Sequence, residues 1–176
     1  MGYDTDFFGE VAVAPPLNQA ERAYLDKFAQ TCRMDRERGP YFVDGTGSFG
    51  QGPDPDIRDS TRPPDGQPGF WCQWIPNEDG SALEWDRGEK FYEADQWMAY
   101  LIAHFLKPGA EASKTDEPQF AEFTFDHVLD GEIEAQGEEP VDMWLLRVRS
   151  NQVTVLQGRV VYGEEESDES AMPRVL

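Results

Sequence analysis

Between residues 70 and 106 the spacing of the apolar residues changes from two to nearly four, which predicts a β-hairpin followed by a helix. Residues 70–75 and 82–85 have the composition of two strands, and Pro, Asn, Asp and Gly fill the turn between them. Residues 91–106 place apolar side chains on one helical face, and Pro108 ends the pattern. The segment holds four of the five tryptophans, so we predict that it nucleates the core.

The rest of the chain adds one more helix and several strands. Residues 9–13 alternate as a strand, and Asn18 with Glu21 forms a capping box for a helix over residues 19–34. Further strands are predicted at residues 120–125, 128–135, 143–149 and 153–156. This order predicts an α+β fold: an antiparallel sheet with two helices on one face, built as a ferredoxin-like βαββαβ core plus a C-terminal β-hairpin. The other face of the sheet is expected to be open.

Composition divides the chain into one domain and three irregular segments. Residues 1–162 are predicted to form a single α+β domain. Within it, residues 35–69 form a long loop rich in Gly, Pro and Asp, and residues 107–119 form a linker. Residues 163–176 are predicted to be a disordered acidic tail.

Net charge is the strongest global feature. The chain carries −20, and its last fourteen residues account for −4 through five acidic residues and Arg174, which leaves −16 on the body. Such a charge repels nucleic acid and anionic membranes and attracts basic proteins, although solubility alone also explains it. No run of about 18 apolar residues could span a membrane, and residues 1–6 lack the features of a signal peptide. We therefore predict a cytoplasmic protein.

Several partial motifs fail for physical reasons. Residues 45–50 match G-x-G-x-x-G, but Pro53 and Pro55 follow, so no helix opens there for a nucleotide phosphate. The acidic residues from Asp54 to Asp59 lack the glycine and the final carboxylate of a calcium loop. His104 and His127 stand alone, which favours packed side chains over catalysts. We predict no cofactor, no metal site and no catalytic residues.

Four stretches resemble a group of small uncharacterised bacterial and bacteriophage-encoded proteins. They are GYDTDF at 2–7, PGFWCQW at 68–74, EWDRGEKFY at 84–92 and LDGEIEAQGE at 129–138. Residues 110–125 depart from the group, whose members continue directly from helix to strand. The resemblance implies no activity, only a bacterial or phage origin.

Two functions fit these observations. The first is a non-enzymatic binding protein that engages a basic protein surface, as nucleic-acid mimics and inhibitors do, through Trp74, Trp85, Asp86 and Glu89. The second is a small-ligand-binding or enzymatic module with a site between the long loop and the strand-to-helix connection at residues 84–90. A third interpretation makes the tryptophans purely core residues. The body charge places binding ahead of catalysis.

Overall fold

The structure, a computed structural model, describes residues 2–163, and the predicted tail from residue 164 onward lies outside the described residues. Eight strands and two α-helices are described. The strands are β1 Thr5–Ala14, β2 Asp35–Arg36, β3 Ile57–Asp59, β4 Trp74–Pro76, β5 Ala82–Trp85, β6 Val128–Gly137, β7 Met143–Arg149 and β8 Gln152–Gln157. The helices are α1 Gln19–Gln30 and α2 Ala94–Leu101, and α2 continues as a π-helix over Ile102–Leu106.

The strands form two antiparallel sheets. The larger has the order β4-β5-β1-β6-β7-β8, and β2 pairs with β3 beside it. The predicted α+β class is confirmed. The ferredoxin-like topology is not confirmed, because this six-stranded order differs from that of the four-stranded pattern.

One face of the large sheet is the core face. In β1, Phe7, Val11 and Val13 are buried, while the side chains between them are exposed. β6 alternates in the same way, with Leu129 and Ile133 facing inward. α2 approaches both edge strands, β4 and β8, so the sheet curls around this helix. Among the described residues the outer, open face exposes Phe8, Asp130 and Glu132.

Both helices are shorter than the apolar pattern predicts. α1 begins at the predicted capping box, in which Asn18 Oδ1 accepts from the Glu21 N–H and Glu21 Oε1 accepts from the Asn18 N–H. It ends at Gln30, because Thr31 is extended and its hydroxyl donates to the Lys27 carbonyl. α2 begins three residues late, because Glu93 has left-handed backbone angles.

Two predicted strands are irregular in the structure. Residues 70–73 precede β4 as an irregular segment, and residues 120–125 form a turn instead of a strand. The second segment is buried through its rings: Phe120 and Phe123 pack edge-on against Tyr24 of α1, at ring-centroid distances of 5.1 and 5.5 Å. Aromatic residues that favour strands here cover a helix instead.

The centre of α2 provides the first test of the core. Leu101 is buried within the main apolar cluster. We expect Leu101→Ala to lower the free energy of unfolding by about 3 kcal/mol, because it leaves a cavity under a packed helix. Denaturant unfolding measures the loss. The control Gln96→Ala, on the exposed face of the same helix, should change stability by less than about 0.5 kcal/mol. Equal effects would mean that the buried face is misassigned.

The described helices do not reach the length and apolar character that crossing a membrane requires.

Candidate partner-binding groove

A groove lies between the long loop and the connection from β5 to α2. Two depressions, of about 270 and 780 Å³, share Trp71 as a common wall. We call this surface the loop groove. The end of α1 forms its floor through Ala29, Gln30 and Cys32. The loop side consists of Phe49, Gln51 and residues 68–71, and the connection side consists of Asp86, Gly88, Glu89, Lys90, Tyr92 and Glu93.

The loop side is fixed by a buried arginine. Arg36 Nη1 lies 3.0 Å from Asp54 Oδ2 and 3.3 Å from Asp56 Oδ1, while its Nη2 donates to the Gly50 carbonyl. The Thr46 hydroxyl and backbone N–H donate to Asp54, and together with Arg36 they hold the pKa of this carboxyl below its usual range. Asp54 and Asp56, which belong to the stretch that resembles a calcium loop in sequence, thus serve as partners of Arg36, and the third acid, Asp59, pairs with Arg62.

This network positions an exposed ring in the groove. The Phe49 carbonyl, next to Gly50, accepts from the Cys32 N–H at 2.9 Å. The Phe49 ring is exposed and meets Trp71 edge-on, with 5.8 Å between ring centroids. The loop therefore presents two aromatic rings to solvent from a backbone tied to the end of α1.

The connection side is held by Gln73, a buried polar residue of the irregular segment before β4. Its amide donates to the Glu89 carbonyl at 2.8 Å, and its backbone carbonyl accepts from the Asp86 N–H at 3.0 Å. Its Oε1 accepts from Trp85 Nε1 at 3.1 Å. One glutamine thereby places both predicted acidic contact residues on the groove wall.

The N-terminal segment supports the same wall from outside. Asp4 Oδ1 accepts from the Lys90 N–H at 2.7 Å, and the Tyr3 N–H donates to the Tyr92 hydroxyl at 3.3 Å. The aliphatic part of Lys90 lies so close to Gly2 that a Cβ at this position would displace the lysine side chain. The stretches at 2–7, 68–74 and 84–92 therefore meet at one place.

Backbone strain concentrates in this groove. Seven non-glycine residues of the described chain have positive φ, and four of them, Phe49, Arg87, Lys90 and Glu93, lie in or beside its walls. Such angles cost about 1–3 kcal/mol each and persist where surrounding contacts enforce them. Strained backbone of this kind is a feature that binding sites share.

The groove combines exposed aromatic rings with acidic side chains. Phe49, Phe70 and Tyr92 are exposed. Among the ion pairs of residues 2–163, none involves Asp86, Glu89 or Glu93. Burial raises the pKa of Asp86, although the Gly88 N–H donates to it and acts in the opposite direction. A carboxylate that has lost part of its hydration gains more from a cation that approaches it.

The four predicted contact residues occupy different environments. Asp86 and Glu89 line the groove. Trp85 is half-buried, and its Nε1–H donates to Gln73, which in turn holds the groove wall. Trp74 is 1% exposed and donates to the Ala94 carbonyl at 2.7 Å, so it belongs to the core and cannot touch a partner. For Trp74 the structure corrects the predicted partner contact, because its ring is enclosed by the sheet and α2.

The sequence did not identify the residues that form the groove but are distant in the chain from the connection at residues 84–90. Phe49 lies in a loop without periodicity, so no pattern marked it, and Trp71 lies in a run predicted to be a strand, where its pattern indicated a core residue. Gln73 did carry a signal, since it is a polar side chain within the apolar run from Phe70 to Ile75. A buried amide in such a run needs partners, and here it links the groove wall to Trp85.

The nucleophile and acid–base candidates are engaged in packing. Burial raises the pKa of the Cys72 thiol to about 12 and also raises that of Cys32, so both remain protonated at neutral pH. His104 lies outside the groove, where Nδ1 contacts the Tyr41 hydroxyl at 2.7 Å and the ring stacks on Tyr100. His127 is buried beside Glu21. Within residues 2–163 no group of His, Cys, Asp or Glu has the arrangement of a metal site.

In comparisons with models of protein families, with curated proteins and with solved structures, no match to this chain was found.

Proposed function

We propose that this chain is a non-enzymatic binding protein that receives a basic segment of a partner protein in the loop groove. The observation that carries the proposal is the combination of exposed rings and unpaired carboxylates on two fixed walls. Arg and Lys side chains are attracted to both groups, through ion pairs with carboxylates and cation–π contacts with ring faces. The body charge of −16 would steer such a partner toward the protein.

The same chemistry fits the class of nucleic-acid mimics and inhibitors, which present carboxylates to proteins that bind phosphates. An enzymatic use of the groove has less support. Both cysteines are protonated at neutral pH, and both histidines are held in internal contacts away from the groove. A small cationic ligand is the second candidate, favoured by the larger depression of about 780 Å³.

Neutralising the two predicted acidic contact residues tests the proposal. The probe is a synthetic arginine-rich peptide, and its affinity is measured by calorimetry at several salt concentrations. We expect Asp86→Asn/Glu89→Gln to weaken binding about two- to thirtyfold, since exposed ion pairs contribute about 0.2–1 kcal/mol each. Binding should also lose part of its salt dependence.

The matched control is Asp116→Asn/Glu122→Gln, which removes the same charge from exposed positions outside the groove. It should bind the peptide almost as the unmodified protein does. If both double variants lose affinity equally, the attraction is a property of net charge and the groove is not the site. Capture from a bacterial lysate that recovers a metabolite in the groove and no basic protein would favour the second candidate.

Three finer expectations belong with this proposal. We propose that β1, α1, β4, β5, α2 and β6 form a ferredoxin-like core, supported by their βαββαβ sequence order and by the antiparallel neighbours β4-β5-β1-β6. We propose a cytoplasmic location, supported by two buried free cysteines. The bacterial or phage origin stays a prediction from the resemblance alone.

A further inference from the structure

Exposed apolar residues are also concentrated in one short segment, residues 155–162, which is distant in sequence from the groove. Twelve large hydrophobic residues are exposed within the described chain, and five of them fall between residues 155 and 162. They are Val155, Leu156, Val160, Val161 and Tyr162. On the open face Leu156 borders a depression of about 420 Å³, together with Phe8, Met143 and Leu145. Such concentrated apolar surface marks an interaction site.

β8, where these residues begin, lies at the edge of the sheet. Within residues 2–163 it pairs with β7 alone, and five of its six residues are exposed even though α2 approaches it. Residues 150–158 contain no charged residue and no proline, so the usual devices that block edge pairing are missing. The opposite edge differs: β4 has three residues, ends at Pro76 and packs against α1.

The register defines which backbone groups of β8 are free. The Gly158 N–H donates to the Met143 carbonyl, so this pair belongs to the hydrogen-bonded set of the β7–β8 ladder. Because bonded and non-bonded pairs alternate in an antiparallel ladder, Val153, Val155 and Gln157 direct their N–H and C=O groups to the open edge.

We propose that this edge binds the same edge of a second copy, giving a two-fold dimer in which the large sheet continues across both molecules. A two-fold axis perpendicular to the sheet and midway between Val155 and its copy would pair these two residues with each other, and Val153 with Gln157. Each of these positions directs its backbone groups outward, so every pair can exchange hydrogen bonds.

Charge argues for a second copy as the occupant. Two molecules of net charge −20 repel each other, and an uncharged strand is where they can approach at least cost. The basic partner proposed for the loop groove would find no carboxylate in residues 150–158. The two surfaces therefore predict opposite salt responses: added salt should weaken peptide binding in the groove and strengthen self-association at β8.

The test is the mass of the full chain in solution, measured by sedimentation equilibrium over a range of protein and salt concentrations. We expect a reversible dimer that strengthens with salt. Val155→Lys should weaken it at least about tenfold, because two lysines would face each other at the axis. This result would be informative, because each added lysine reduces the net negative charge of the chain, and the weaker repulsion would by itself favour association.

The matched control is Val141→Lys, at an exposed position outside β8, which changes the charge equally and should dimerise as the unmodified chain does. Should Val155→Lys fail to fold, hydrogen exchange on the unmodified chain decides the question, because Val155 and Val153 amides should gain protection as concentration rises. A monomeric mass at the highest soluble concentration, or a dimer equally weakened by both variants, would overturn the proposal.

Discussion

Replacing Arg36 by methionine is expected to lower the free energy of unfolding by about 3–5 kcal/mol, the cost of breaking a buried ion pair by removing one partner. In a largely buried site, Asp54 and Asp56 would lose the guanidinium that faces them at 3.0 and 3.3 Å. Methionine fills similar space, so the loss would reflect unpaired charge more than a cavity. Denaturant unfolding at neutral pH measures it.

Arg38 supplies a matched control. Both arginines contact Asp56, and both lie over the Phe42 ring at about 5 Å. They differ in burial, since the Arg36 side chain is 1% exposed and that of Arg38 is 62% exposed. Arg38→Met should therefore cost less than about 0.5 kcal/mol. Similar losses for the two variants would show that burial of the pair does not determine its contribution.

Arg36→Met also tests whether the loop can lose its structure while the rest of the fold is retained. Arg36 ties Gly50, Asp54 and Asp56 to one another and thereby helps to hold Phe49, the neighbour of Gly50, at the groove. We expect Arg36→Met to speed limited proteolysis between residues 44 and 67, and to weaken peptide binding in the groove, under conditions where α2 remains folded. Proteolysis that begins instead in β4 or β5 would contradict this division.

The sequence predicted the elements whose evidence is local. The capping box at Asn18 and Glu21 is a contact within four residues, and the strand at residues 143–149 alternates in its own composition. Both are present in the structure. The helix over residues 91–106 was predicted too long at its start, because Glu93 has left-handed backbone angles, which helical periodicity does not reveal.

The candidate site could be predicted only in part for the same reason. Asp86 and Glu89 stood out because they are charged residues in a connection beside tryptophans. Their placement depends on Gln73, thirteen residues before Asp86 in the chain, and on Asp4, which lies far away in sequence. Such contacts connect segments whose proximity follows from the sheet order, and the sheet order cannot be derived from periodicity.

The charge of the chain also has a different meaning in the structure. Sequence alone treats the body charge of −16 as one quantity. In the structure, Asp54 and Asp56 compensate a buried arginine, Glu132 pairs with Arg147 and Arg149, and Glu21 faces His127. The carboxylates available to a partner are a subset, which is why the proposed contact is confined to the groove wall.

The second large effect is expected at the buried pair of Glu21 and His127. Their side chains are 0% and 1% exposed, and Glu21 Oε2 lies 2.7 Å from His127 Nε2. His127 Nδ1 lies 2.6 Å from the Pro15 carbonyl, an acceptor only, so this nitrogen carries a proton. Nε2 then needs a second proton between itself and the carboxylate. The pair is therefore held together by one shared proton.

We expect His127→Leu to lower the free energy of unfolding by about 3–5 kcal/mol, because it leaves the Glu21 carboxylate buried without its charged donor. Glu21→Gln is the matched variant. Its amide can donate to a neutral His127 Nε2 while its carbonyl still accepts from the Asn18 N–H, so its cost should stay below about 1 kcal/mol near neutral pH. Equal losses in the two variants would show that the ion pair itself carries the stability.

The pH dependence follows from the same geometry. Burial acts to lower the pKa of His127, but the Glu21 carboxylate and the Pro15 carbonyl outweigh it, and the pKa is raised above its ordinary value. A raised folded-state pKa means that the stabilisation is fully present below about pH 6.5, the unfolded value, and is lost as pH rises through the folded-state pKa. The stability advantage of the unmodified chain over Glu21→Gln should therefore shrink as the pH rises above about 6.5 and through the folded-state pKa of His127. Denaturant unfolding of both proteins across this range measures the difference, and a difference that stays constant or grows with pH would exclude the shared proton.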